Sequence, residues 1–230
     1  MIPTMGFNAE LLAGLKGEYS RAGNREDAIA MQAYQKDVAK FVGIRTPERR
    51  AINKTIFRTL PEPTSAQLGT AARALWKIDL REYQYAACDM LSYFLDGLDS
   101  EFLEKHVEYL LTHKSWWDSV DSLGTAAISP LTVKFESIPL MNRWNKSENI
   151  WLNRAAIQHQ RGRKEATDLD LLFKYCDYHS ESRVFWITKA IGWALRDVAH
   201  FNRPAVTQFL KSHPELDRVA VREAQKHLKS

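Results

Sequence analysis

Three evenly spaced segments decide the fold class: SWWDSVDSLG (115–124), NIWLNRAAIQ (149–158) and FWITKAIGWALRD (185–197). Each has a tryptophan near its start, and these tryptophans are 35 residues apart, at Trp116, Trp151 and Trp186. Four residues after each tryptophan comes another apolar residue, as expected for one stripe of a helix buried in a core. Less regular partner helices are expected at 101–112, 131–143 and 167–178. A period of about 35 residues with two helices per unit indicates an α-solenoid.

The rest of the chain also has residues typical of helix starts and ends. It lacks the alternation of apolar and polar residues that is expected of strands. Thr64 and Gln67 have capping-box spacing, and Thr46 is expected to cap a helix that has Pro47 at its first position. The tetratricopeptide consensus is missing, which favours HEAT-like repeats. We therefore predict an all-α protein, an α-solenoid of about a dozen helices in HEAT-like repeats, curved with a concave face. Residues 1–230 are expected to form a single domain.

Composition excludes several classes of protein. Hydrophobic residues make up 45% of the chain and charged residues 26%, as in folded rather than disordered chains. No apolar run approaches the roughly 20 residues of a membrane span, and no signal peptide is recognisable, so a cytoplasmic, nucleoid-associated protein without membrane contact is expected. Cys88 and Cys176 are expected to be buried free thiols. Nucleotide-binding and metal-binding motifs are missing, so we predict no cofactor and no metal.

One carboxylate departs from the repeat. In the 35-residue register Asp121 corresponds to Ala86, Ala156 and Ile191, which are all apolar. An uncompensated acid at such a position is costly, and local departures of this kind are often functional. The alternative is a surface aspartate that accepts a hydrogen bond from a serine or a lysine.

Two later helices carry a repeated basic stripe, formed by Arg154, Gln158 and Arg161 and, 35 residues on, by Lys189, Trp193 and Arg196. Such a stripe is typical of a track for a phosphate backbone, although many charged stripes are only solvated faces. An indole among cations favours the DNA interpretation. Arg45 and Arg49 could extend the track. A strict register points Trp117 and Asp121 away from this stripe, and whether the two sets converge is left open.

The segments HKSWWDSVDS (113–122), NIWLNRAAI (149–157) and FWITKAIGWALRD (185–197) resemble the AlkD family of DNA alkylation repair glycosylases, as do GIRTPERR (43–50) and LWKIDLREYQYAA (75–87). The resemblance implies a HEAT-like solenoid that cradles duplex DNA on its concave face, which would be the DNA-binding face. It implies that Asp121 is the essential acid, that Trp117 and Trp193 face the lesion, and that Arg154 is the important arginine. It also implies that Tyr34, Arg45 and Thr46 lie near the DNA.

The resemblance predicts a monofunctional glycosylase of base excision repair. It would hydrolyse the N-glycosidic bond of positively charged N3- and N7-alkylated purines (3-methyladenine, 7-methylguanine) in double-stranded DNA, as a monomer. Two alternatives are a non-catalytic HEAT-like module that binds damaged or branched DNA and a protein-interaction scaffold. Lys114 or Lys189 could suggest a Schiff-base lyase, but the helix-hairpin-helix signature of such lyases is missing.

Overall fold

Helices account for every regular element between Gly6 and Leu228, the part of the chain that the computed structural model describes. The prediction of an all-α protein is confirmed. The chain divides into two compact units, one ending at Ala127 and the other beginning at Ile128. A single domain spanning the whole chain stays a prediction.

From Gly6 onward the first unit contains seven α-helices: α1 Phe7–Ala22, α2 Arg25–Tyr34, α3 Thr46–Phe57, α4 Ser65–Lys77, α5 Arg81–Tyr93, α6 Glu108–Thr112 and α7 Trp117–Leu123. A 3₁₀ turn follows α5 at Leu95–Gly97, and a π-helical turn, Leu103–Val107, leads directly into α6. The partner helix expected at 101–112 is therefore present.

Amphipathic spacing and caps explain the helices of this unit. Phe7, Leu11, Leu15 and Tyr19 follow one another at intervals of four residues and are all buried. The capping box predicted at the start of α4 is confirmed, because Thr64 and Gln67 exchange hydrogen bonds with each other's backbone. The helix predicted to start with Thr46 as its cap instead has Arg45 at the cap position, one residue earlier.

The second unit contains α8 Ser129–Lys134, α9 Ile138–Asn145, α10 Ile150–Gln158, α11 Leu169–Tyr178, α12 Phe185–Ala199, α13 Arg203–Ser212 and α14 Arg218–Ala224. Short 3₁₀ turns lie at Lys164–Ala166 and Gln225–His227. The partner helix expected at 131–143 is interrupted: α8 ends at Lys134, and α9 starts only at Ile138, with Pro139 in its first turn.

Residues at equivalent positions of the 35-residue repeat are similarly buried. Val120, Ala155 and Ala190, each four residues after a repeated tryptophan, are all buried. Trp116 was predicted to lie in the core and is instead half-buried, as are Trp151 and Trp186. All three lie at the start of a helix: Trp116 is the cap residue of α7, and the other two are the second residues of α10 and α12. A π-helical turn, Gly124–Ile128, follows α7 and adds a residue to that turn of the helix.

α12 is the central helix of the second unit and packs against α10, α13 and α14. Its buried face includes Ile187, Ala190, Ile191, Ala194, Leu195 and Val198. Gly192 permits α14 to approach closely, because a Cβ atom at this position would lie 2.6 Å from the Cβ of Glu223.

Cys88 and Cys176 are buried free thiols, as expected, and burial raises the pKa of both. Among the helices of residues 6–228, none is long and apolar enough to cross a membrane.

Candidate functional site

The two acids of WWDSVDS have different surroundings. Asp118 is buried and accepts hydrogen bonds from Arg81, with Nε at 2.9 Å and Nη2 at 2.7 Å, and from the Tyr85 hydroxyl. The same guanidinium donates to the Lys114 carbonyl at 2.9 Å, which fixes the loop before α7. Asp118 therefore joins α5 to α7 and has a structural role.

Asp121 lies one turn further along α7 and is partly exposed to solvent. The apolar residues at its repeat positions, Ala86, Ala156 and Ile191, are all buried. The acid therefore takes a place in the repeat that is otherwise filled by core residues, yet its side chain is reachable from solvent.

Trp117, at the first position of α7, contacts Tyr34 at the end of α2. Their ring centroids are 6.2 Å apart and the rings are close to perpendicular, at 72°. Tyr34 is 71% exposed, whereas Trp117 is half-buried. The structure thus brings together two of the predicted residues of the first unit in one partly exposed aromatic pair.

The predicted basic residues around α3 differ in accessibility. Arg45 is exposed and forms a two-bond ion pair with Asp27, at 3.0 and 2.7 Å, and Thr46 follows it at the start of the helix. Arg49 is only 4% exposed, pairs with Asp89 at 3.3 Å and lies over the ring of Tyr85. Arg45 can reach a ligand in this arrangement, whereas Arg49 supports the packing of α3 on α5.

In the second unit four cations surround one indole. Trp193 has the charged ends of four side chains within 5.2–5.6 Å of its ring centroid, those of Arg154, Arg161, Lys189 and Arg196. Attraction between a cation and an aromatic face is commonly worth about 0.5–1 kcal/mol at exposed sites. We call these five residues the Trp193 cluster. Four positive charges around one ring make a strong local attraction for an anion.

Glu223 of α14 balances part of this charge. Its buried carboxylate accepts hydrogen bonds from Lys189 at 2.8 Å and Arg196 at 2.9 Å, and a further one from Lys226 at 2.6 Å. Burial by itself raises the pKa of Glu223, but the bonds from Lys189 and Lys226 outweigh burial and lower it to about 2. Glu223 is therefore ionised at neutral pH and holds two members of the cluster in place.

The six residues of the predicted basic stripe are not equally accessible. Arg154 is only 1% exposed and donates to the Trp186 carbonyl at 2.8 Å. Gln158 is also buried, whereas Arg161 is 39% exposed and 3.9 Å from Asp197. Arg161, Lys189 and Arg196 are thus the cations of the stripe whose side chains are partly exposed, whereas Arg154 is buried with its guanidinium 5.2 Å from the Trp193 ring centroid.

Sequence reasoning did not find Glu223 or Lys226. They lie in and just after α14, beyond the three segments in which the repeat was recognised, although Glu223 follows Lys189 by 34 residues, close to one repeat period. The available indication was Gly192, since a glycine inside a helix is unfavourable unless another backbone packs closely there.

The described part of the chain, Gly6–Leu228, contains no group of three or more His, Cys, Asp or Glu residues that could hold a metal ion.

The chain matches known proteins over most of its length. A family model described as DNA alkylation repair enzyme matches residues 15–228. A predicted DNA alkylation repair enzyme from Enterococcus faecalis is 32% identical, with a TM-score of 0.81 over 90% of this chain and 96% of that one. A comparison with the curated proteins found no match.

Two structures from Streptococcus mutans share the fold. AlkD2 aligns with a TM-score of 0.66 at 16% identity, over 97% of this chain and 100% of that one. The protein smu.31 of strain UA159 aligns with a TM-score of 0.60 at 18% identity, over 78% and 91% of the two chains. The family match over nearly the whole chain is the decisive finding, and this protein belongs to the DNA alkylation repair enzyme family.

Proposed function

We propose that the protein is a monofunctional DNA glycosylase of base excision repair. Its substrates are positively charged N3- and N7-alkylated purines in duplex DNA, such as 3-methyladenine and 7-methylguanine. The observation that carries the proposal is the exposure of Asp121. Of the two acids of α7, Asp118 is buried against Arg81, and Asp121 is the one that solvent and a substrate can reach.

In this proposal, hydrolysis of the N-glycosidic bond requires one carboxylate from the protein. An alkylated purine carries a positive charge and leaves as a neutral base, taking the electron pair of the N-glycosidic bond. Positive charge then develops on C1′ and O4′ of the deoxyribose. Asp121 stabilises that charge and orients a water molecule, whose oxygen bonds to C1′ while its proton passes to the carboxylate or to solvent. Water is the sole co-reactant, so we propose no cofactor and no metal.

The Trp193 cluster supplies affinity for DNA in this proposal. Arg161, Lys189 and Arg196 contact backbone phosphates, and Arg154 supports Trp193 from beneath. Trp117 and Trp193 contact the damaged nucleotide, whose positive charge attracts aromatic faces. Tyr34, Arg45 and Thr46 contribute further DNA contacts from the first unit. We propose that a monomer is sufficient for the reaction.

A non-catalytic role has one observation in its favour. Four cations around one indole explain DNA binding by themselves and require no chemistry. A module that only holds damaged DNA would need this cluster but would not need Asp121.

Release of free base separates the two functions. Purified protein is incubated with methylated duplex DNA, and free 7-methylguanine and 3-methyladenine are measured by chromatography, with DNA affinity measured in parallel. We expect release by the natural protein and a loss of at least 100-fold in Asp121→Asn with affinity retained. Equal release by Asp121→Asn would overturn its catalytic role. Binding by the natural protein without any release would favour the non-catalytic module.

A further inference from the structure

Two histidine rings pack against each other where α12 ends. His200, the residue that follows α12, and His227, in the 3₁₀ turn after α14, have ring centroids 4.0 Å apart, with 38° between the ring planes. His200 is exposed and His227 is partly exposed, so solvent and a ligand can reach the rings. We call these two residues the histidine pair.

The histidine pair continues the face of α12 that carries the Trp193 cluster. His200 follows Arg196 by four residues and Trp193 by seven, which is the spacing of one helical stripe. It still has helical backbone angles, so it lies about 6 Å further along the helix axis than Arg196. A DNA strand with one phosphate at Arg196 can therefore place a neighbouring phosphate at the histidine pair.

The surroundings of the histidine pair carry more positive than negative charge. Charged side chains lie around it on α12, α13, α14, the turn after α14 and the loop after α10, which shares the wall of one cavity with His200. The cations are Arg161, Lys164, Arg196, Arg203 and Lys226, and the carboxylates are Glu165, Asp197 and Glu223. Two of the three carboxylates already pair with cations of this set. An anion that approaches the pair is therefore attracted.

The same surroundings oppose protonation of the rings. Desolvation lowers the pKa of His227 below its ordinary value of 6.5, and the neighbouring His200 lowers it further. Three cations add to this repulsion, namely Arg196, Arg203 and Lys226. A phosphate diester carries a negative charge that offsets the repulsion, so an imidazole beside it gains a proton from solvent. The resulting hydrogen bond is of the strong, charge-assisted kind.

We propose that the histidine pair binds a backbone phosphate of DNA and takes up a proton when it does so. This inference rests on the DNA-binding part of the proposed function and does not require the glycosylase reaction. Because the complex holds more protons than the free protein and free DNA, affinity increases as the pH falls. The increase belongs to the interval from about pH 8 to pH 6, around the ordinary titration of histidine.

The test measures DNA affinity as a function of pH. Binding of an undamaged duplex is followed by fluorescence anisotropy at constant salt, because salt by itself changes the affinity. The double variant His200→Gln, His227→Gln keeps a side-chain N–H donor at both positions but does not titrate, and neither position is buried, so the risk to folding is small. His113→Gln is the matched control, because His113 is an exposed histidine of the first unit that stacks on Tyr109.

The proposal predicts a pH dependence that the histidine pair alone supplies. From about pH 8 to pH 6 the affinity of the natural protein and of His113→Gln should rise about fivefold or more, and that of the double variant less than about twofold. Calorimetry in two buffers of different ionisation enthalpy should find proton uptake on binding by the natural protein and none by the double variant. An equal pH dependence in the natural protein and the double variant overturns the proposal. So does its loss in His113→Gln, or a lack of DNA binding at every pH.

Base release measured on the same preparations keeps this proposal separate from the glycosylase proposal. A protein that releases 7-methylguanine but binds DNA without proton uptake retains the proposed reaction and loses the phosphate site. A protein that shows proton-linked binding without release retains the phosphate site and loses the glycosylase reaction.

Discussion

Arg81 and Asp118 form a buried ion pair with two hydrogen bonds, at 2.9 and 2.7 Å, between the first residue of α5 and the second residue of α7. Both side chains are almost fully buried. The pair explains why two acids only three residues apart serve different purposes. Asp118 is buried in an ion pair that holds two helices together, whereas the Asp121 side chain is partly exposed to solvent.

The first prediction compares these two acids. Asp118→Asn should lower the free energy of unfolding by about 3 kcal/mol, because it leaves the Arg81 charge buried without a counter-charge. Asp121→Asn should change it by less than about 0.5 kcal/mol, as is usual for partly exposed positions. Urea unfolding followed by circular dichroism measures both. Similar losses of stability in the two variants would contradict the division of roles.

A second prediction concerns the acid stability of the Glu223 ion pairs. The pKa of Glu223 in the folded protein, about 2, lies below its ordinary value of 4.5, so its ionised form stabilises the fold. This contribution is complete above pH 4.5 and is lost as the pH falls from there towards 2. The stability difference between natural protein and Glu223→Gln, on the order of 2 kcal/mol at pH 7, should therefore shrink towards zero over this interval.

Thermal unfolding at a series of pH values from 7 down to 2.5 measures that difference. Glu181→Gln is a suitable control, because Glu181 is exposed and its stability difference should stay small at every pH. If the stability difference between natural protein and Glu223→Gln stays constant down to pH 2.5, the ion pairs do not stabilise the fold.

The third prediction uses two glycines in helical conformation. Gly192→Ala should destabilise the protein by about 1–3 kcal/mol, because the new Cβ would lie 2.6 Å from Glu223 Cβ and 2.8 Å from the Ala220 carbonyl oxygen. Gly124→Ala meets no atom within 4 Å and should stabilise the protein by up to about 1 kcal/mol. Chemical denaturation distinguishes the two, and equal effects would mean that α12 and α14 can separate at no cost.

The fourth prediction concerns the salt dependence of DNA binding. The Arg161 side chain is 39% exposed, against 21% for Lys189 and 21% for Arg196. Arg161→Gln should therefore lower the slope of log affinity against log salt by about 0.9, the value for one lost phosphate contact. Lys211→Gln removes one charge from the exposed side of α13 and should leave the slope unchanged. Fluorescence anisotropy between 50 and 200 mM salt, roughly, covers the useful range. Identical slopes for the two variants would remove Arg161 from the DNA interface.

Burial also changes what is expected of Arg154. Because its side chain is 1% exposed and bonded to the Trp186 carbonyl, Arg154→Gln should reduce stability as well as DNA affinity. Urea unfolding and DNA binding measured in parallel on Arg154→Gln separate its effect on stability from its effect on affinity.

Much of the fold was predictable because helical periodicity is a local property. The 35-residue register placed Val120, Ala155 and Ala190 in one column, and all three are buried. The capping box of Thr64 and Gln67 was also predictable from the sequence, since both residues lie within one helical turn. The interruption between α8 and α9 was less clear, because it depends on only a few residues around Phe135 and Pro139.

The sequence by itself determined that this protein is helical, repetitive and a relative of alkylation repair enzymes, because residue type and spacing fix which face of each helix is apolar. Only the tertiary structure decided which charged side chains form ion pairs, and with which partners. Arg81 meets Asp118 across 37 positions, and Lys189 meets Glu223 across 34. It also decided that Arg154 is buried and that Trp193 borders a cavity. The physical reason is that a charge's partner depends on which helices pack together, and spacing within one helix carries no information about that.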